Sequence, residues 1–169
     1  MKRLIVYILE ILLCFLIQSS LYHYVSLADI MPNLLLILVA SNAYMRGRMS
    51  GLMLGLFSGL LIDLTSGNSV VGLYALIYMV IGYIIGFTNK YYSNDDYTLP
   101  ILIIAFSDMV YSFLVYVSEF LLRGRLNFLF YFRRIILPEI VYTVAVSVFL
   151  YKLLHVINNL LEHKPDKEV

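Results

Sequence analysis

Tryptophan is absent from this chain, cysteine occurs once, and only 14% of the residues are charged. Each shortage removes a class of protein. A single thiol, Cys14, cannot build a disulfide framework or a cysteine-based metal site. The residues before it are not the small ones a lipoprotein cleavage site requires, so Cys14 reads as a small apolar side chain, buried or facing lipid. His23, His155 and His163 fall in different loops or ends, with no H-x-x-x-H or H-E-x-x-H spacing to hold a metal. There is no G-x-S-x-G elbow, no Walker loop and no dinucleotide fingerprint. Neither an enzyme nor a cofactor is expected. A net charge of +1, with no basic face interleaved with aromatics, gives no reason to expect nucleic acid as a partner.

What the chain does have is apolar length. Of its 169 residues 62% are hydrophobic, which marks an integral membrane protein whose partner is the lipid bilayer. The aromatics are mostly tyrosine, 15 in all, and Tyr22, Tyr24, Tyr44, Tyr91, Tyr92 and Tyr97 fall at the ends of apolar segments, where interfacial belts sit. Lys2-Arg3 before the run 4–21 looks like the start of a signal peptide. That run is long, contains Glu10 and lacks a small-x-small site, so it is read as a retained helix.

Polar breaks then divide the chain into an all-α, polytopic bundle of six transmembrane helices, about 4–22, 28–45, 49–65, 70–87, 99–122 and 135–156. They form one domain over 1–158, with a short polar tail over 159–169. Residues 32–64 could instead form one helix, but at about 50 Å it would leave Arg46 and Arg48 near mid-membrane, so two helices joined at Arg46-Gly47-Arg48 are preferred. Segment 123–134, with arginines at both ends and an aromatic middle, has the composition of a piece lying in the interface. With both termini cytoplasmic, eight Lys and Arg lie inside and four outside, all four in that segment. A five-helix arrangement, which would relieve that exception, stays open.

Two features stand out as candidate sites. Gly47, Gly51, Gly55, Gly59 and Gly67 recur every fourth residue, with Asp63 in the same series, and Gly51, Gly55 and Gly59 make overlapping G-x-x-x-G motifs of the kind that let membrane helices touch backbone to backbone. Gly82 and Gly86 form a second pair on the next helix, an adequate internal partner, although a partner protein fits equally. The stripe drifts around the helix, which suits a crossing partner. Acids within apolar spans form the second feature. Asp63 reads as interfacial or partner-binding, Glu119 as an i,i+4 partner of Arg123, and Glu139 as a first-turn acid within reach of Arg133 or Arg134. Glu10 and Asp108 lie deeper, with no basic residue three or four positions away, and are the acids most in need of a role. Gln18, Ser41, Asn42, Ser58, Ser107, Ser112 and Ser118 supply interhelical hydrogen-bonding groups.

From residue 31 to 86 the chain resembles the rod shape-determining MreD family. The resemblance rests on Pro32-Asn33 before a leucine run, the pair Arg46-Gly47, the glycine ladder ending in Leu61-Ile62-Asp63-Leu64, and Gly72-Leu73-Tyr74-Ala75-Leu76 followed by Gly82-Tyr83. Asn33 stands where the family often has Asp. The resemblance implies a multi-pass component of the bacterial inner membrane. It would bind MreC and work through it with MreB filaments and a penicillin-binding transpeptidase in cell-wall elongation and peptidoglycan synthesis. It also implies a fold similar to the vitamin-binding S components of energy-coupling-factor transporters, and such a small-molecule subunit is the alternative reading. S components dock through an Ala-x-x-x-Ala motif in helix 1, whereas run 4–21 has no alanine, which favours the scaffold. Self-association stays open. A topology reporter fused at residue 128 is expected to report the outer side, and a cytoplasmic signal there would overturn the six-helix arrangement.

Overall fold

A computed structural model describes residues 2–24, 31–66, 72–92, 98–118, 130 and 132–162. Among the described residues six α-helices follow in order: α1 (Lys2–Tyr24), α2 (Leu34–Arg46), α3 (Arg48–Ser66), α4 (Leu73–Ile85), α5 (Thr98–Tyr116) and α6 (Leu137–Glu162). A 3-10 turn over Gly86–Tyr91 prolongs α4, and a π-helical turn over Phe132–Ile136 leads into α6. No strand occurs among the described residues. Four of the described segments are long and apolar enough to cross a membrane: Arg48–Thr65, Leu73–Tyr91, Thr98–Tyr116 and Phe132–Asn159. Ile5–Ser20 and Leu34–Arg46 are apolar but shorter. Segments 25–30, 67–71 and 119–129, with Glu119, Arg123 and Arg125, lie outside the described residues.

The architecture is arranged around α2. At 13 residues it is about 20 Å long, well short of a bilayer's hydrocarbon core. Every residue from Leu34 to Met45 is buried, with α1, α3, α4, α5 and α6 all packed against it. The run is apolar all round, the pattern of a membrane span and equally of a helix enclosed by protein. The outer helices turn their apolar residues outward instead, as Met53 and Phe57 of α3, Phe106 of α5 and Phe149 of α6 do.

An enclosed helix must have its terminal backbone groups satisfied by protein. At the start of α2, Asn33 Oδ1 accepts from the Leu36 N–H (3.1 Å) and the Leu35 N–H donates to Gln18 Oε1 of α1 (3.2 Å). At its end the Asn89 side-chain amide, from the 3-10 turn, donates to the carbonyls of Tyr44 (2.8 Å) and Met45 (2.9 Å). The chain then reverses through one residue. Gly47 has φ +89 and ψ −173, a conformation in effect reserved for glycine, and its N–H bonds the Ala43 carbonyl.

After Tyr116 the α5 chain widens into a π turn at 117–118, and the expected end of α5 near 122 lies outside the described residues. Helix α6 continues through 159–162, residues assigned from sequence to a polar tail. Asn158 explains the extension: it is 1% exposed and accepts from Arg46 of α2, so this turn is held by the bundle.

Asn89→Ala should leave two carbonyls of α2 without their donor and destabilise the protein by about 1–3 kcal/mol. Asn89→Asp, which presents an acceptor to acceptors, should be at least as damaging. Thermal melting of the purified protein in detergent checks both.

Candidate functional site

Helices α3 and α4 meet as an antiparallel pair along the glycine stripe. A methyl group placed on Gly51 would overlap the Gly82 carbonyl and lie 2.6 Å from Cβ of Ala43. On Gly55 it would overlap the Tyr78 carbonyl, and on Gly59 it would fall 2.6 Å from the Ala75 nitrogen. From the other side, Gly82 abuts the Gly51 backbone and Gly86 that of Arg48. The ladder is thus filled by α4 of the same chain. Nor does α4 cross the stripe at one point: contacts run from the Arg48–Gly86 end to the Asp63–Tyr74 end, because small groups on both helices tolerate the drift.

Asp63 closes that pair. It is 4% exposed, and its two oxygens accept from the backbone N–H groups of Tyr74 (3.2 Å) and Ala75 (2.9 Å), in the first turn of α4. Gly72, the residue ahead of α4, has φ +98 and no side chain to offer, so the acid at the end of α3 supplies the cap that α4 lacks. The positive end of the α4 dipole favours a carboxylate there. Of the other residues in the stretch singled out by sequence, Pro32 precedes the α2 cap, and Tyr83 lies at the bundle surface edge-on to Phe87.

Glu10 and Asp108 fall in two separate polar clusters. Glu10, 6% exposed on α1, accepts from Asn42 Nδ2 of α2 (3.4 Å) and lies close enough to Arg46 to feel its charge. Arg46 Nε donates to Asn158 Oδ1 of α6 (2.6 Å), and its guanidinium covers the Tyr7 ring at 4.7 Å. One arginine therefore ties α1, α2 and α6 together. Local spacing could not reveal it, since Glu10 and Arg46 are 36 positions apart. At the same end of the bundle, the His155 ring bonds Tyr92 Oη (3.2 Å) and the Asn159 side chain (3.1 Å).

The second cluster lies toward the opposite end. Asn33 Oδ1, besides capping α2, accepts from the hydroxyl of Tyr78 (2.6 Å), and the Asn33 N–H donates to Thr143 Oγ1 of α6 (3.3 Å). Tyr111 of α5 packs against both Tyr78 (ring centroids 5.2 Å apart) and Tyr74 (6.4 Å). Asp108 is wholly buried beside this group, and neither of its oxygens meets a donor in hydrogen-bonding geometry. Glu139 Oε2 accepts from the hydroxyl of Ser112 (3.2 Å), whereas Arg134, expected near Glu139, covers the Phe130 ring. Among the described residues no grouping of three or more His, Cys, Asp or Glu is placed to hold a metal ion. The small polar residues divide: Gln18, Asn42 and Ser112 bridge helices, while Ser107 and Ser118 bond carbonyls of their own turn. Asn33 is the residue whose centrality the sequence least announces, because one side-chain oxygen serves two helices at once.

Gly55→Ala is expected to destabilise by about 1–3 kcal/mol or more, since even a methyl collides with backbone. Gly72→Ala has open space around it and should cost only about 1 kcal/mol for its left-handed φ. The ordering of their melting temperatures in detergent tests the seam.

Comparison with known proteins agrees with this arrangement of apolar helices. No curated protein and no solved structure is significantly similar to the chain. The family described as rod shape-determining protein MreD matches it over residues 1–159, which includes every helix from α1 almost to the end of α6. That family is a structural, shape-determining one of membrane proteins rather than a known enzyme family. The chain belongs to the rod shape-determining protein MreD family.

Proposed function

We propose that this protein is a non-enzymatic, multi-pass component of the bacterial inner membrane. In this reading it binds MreC and helps to organise peptidoglycan synthesis during cell elongation, with MreB and a penicillin-binding transpeptidase as indirect partners. Family membership over residues 1–159 carries this reading. A six-span bundle of S-component type, with both termini cytoplasmic, is part of the same proposal. The bundle is consistent with a scaffold, because its polar groups are turned inward and used to fasten helices, while the outward faces remain apolar.

The seam between α3 and α4 is taken up within the chain, so a partner helix would be met by another face. The outward side of α3 presents Met49, Met53, Phe57 and Leu64 at helical spacing, each more than half exposed. A face of this kind suits a single membrane helix of a partner such as MreC.

Placing a photoreactive amino acid at Phe57 in growing cells should capture MreC or another cell-wall synthesis component. Capture of an ATPase-coupled transporter subunit would instead favour the vitamin-binding alternative, and capture of lipid alone would remove α3 as the contact face.

A further inference from the structure

Among the described residues Asp108 is the one deeply buried acid that the packing does not explain. Asp63 caps a helix and Glu10 has Asn42 and Arg46, but Asp108 on α5 is 0% exposed with both carboxyl oxygens unpartnered. Helices α2, α4 and α6 all pack against α5. From α6, Glu139 lies near enough to interact electrostatically, and the Thr143 hydroxyl lies alongside. From α4 comes Tyr78, near both acids, and on α5 itself Tyr111, near Glu139, packs against Tyr78 and Tyr74. The start of α2 contributes Asn33, which is neutral. Among the described residues no cationic side chain acts on either acid.

Two carboxylates cannot both keep their charge at such a place without compensation. An unpaired ion buried in a low-dielectric interior is costly, and a like charge beside it raises the cost. Glu139 is partly buried and accepts from Ser112, whereas Asp108 is fully enclosed with neither oxygen bonded. What the site requires is one positive charge delivered to carboxylate oxygens, with neutral oxygens nearby to complete the surroundings. Ser112 and Thr143 supply those oxygens from the same two helices.

We propose that Asp108 and Glu139, on the packed helices α5 and α6, form a binding site for one monovalent cation, a proton or a sodium ion, with the hydroxyls of Ser112 and Thr143 as neutral partners. The site goes beyond the shape-determining role and does not depend on it. Its occupancy controls how firmly α5 is held to α6, since removing the cation leaves two negative charges facing across that junction.

The test uses the full-length protein in detergent micelles, with melting followed from acid to alkaline buffer in choline chloride or in sodium chloride of equal strength. A cation bound only by the folded state stabilises it, and protons are withdrawn as pH rises. The wild-type midpoint in choline should therefore fall with rising pH, by up to about tenfold in the folding equilibrium constant per pH unit for one linked proton. Recovery on adding sodium at alkaline pH identifies sodium as an occupant; no recovery identifies the proton. Asp108→Asn imitates the neutral acid, so it should match wild type at low pH and lose the dependence. Glu139→Gln should flatten it as well, and serves alone if the first variant fails to fold. A dependence unchanged in both variants overturns the site. So does a wild-type midpoint in choline that stays flat or rises with pH, because the acids would then be charged in the folded state with a countercharge supplied from within.

Discussion

A peptide group that reaches neither water nor a hydrogen-bond partner is intolerable in the middle of a membrane protein, and α2 is built under that constraint at both ends. It is buried by protein from Leu34 to Met45. Asn33, Gln18 and Asn89 therefore do for α2 what water does for a longer helix, and each comes from a different part of the chain. The same residues fix their neighbours. Asn33 draws in Tyr78 of α4 and Thr143 of α6, and Asn89 seats the 3-10 turn under the end of α2. Satisfying one buried helix thus determines where α1, α4 and α6 must lie.

The α3–α4 pair answers a different need. In lipid two apolar helices gain little from the hydrophobic effect by meeting, so close packing and hydrogen bonds must hold them. Glycine supplies the first by letting backbones touch, and Asp63 supplies the second by bonding the free N–H groups of α4. A buried carboxylate that would be a liability elsewhere is stabilised here by two donors and a helix dipole. The acids of the interior are accordingly not equivalent: each is defined by what it faces.

The sequence made much of this legible, and the reasons for the rest are physical. Apolar runs separated by Arg46-Gly47-Arg48 and by turn formers mark helices, and a G-x-x-x-G repeat marks a surface of close approach. Periodicity says nothing about which surface is approached, so the choice between α4 and another protein is made only by the fold. Hydropathy cannot distinguish lipid from protein as surroundings, so the enclosure of α2 leaves no mark in it. Pairings such as Arg46 with Asn158, 112 residues apart, leave no local trace. Asp63 was visible as an acid at a helix end, but its role depends on Gly72, whose lack of a side chain makes an external cap necessary.

The long reach of α6 bears on how the molecule is made. Helices α2, α3 and α4 are neighbours in sequence and can settle against one another as soon as they exist, α2 and α3 being joined through the single residue Gly47. Arg46 and the Asn33 N–H, however, await Asn158 and Thr143, which leave the ribosome more than a hundred residues later. Until α6 joins the bundle, the nascent chain carries an arginine and a backbone donor deprived of these partners. Arrival of α6 is therefore also the moment of closure, and a chain cut short before it would leave Arg46 and the Asn33 N–H without the groups that hold them.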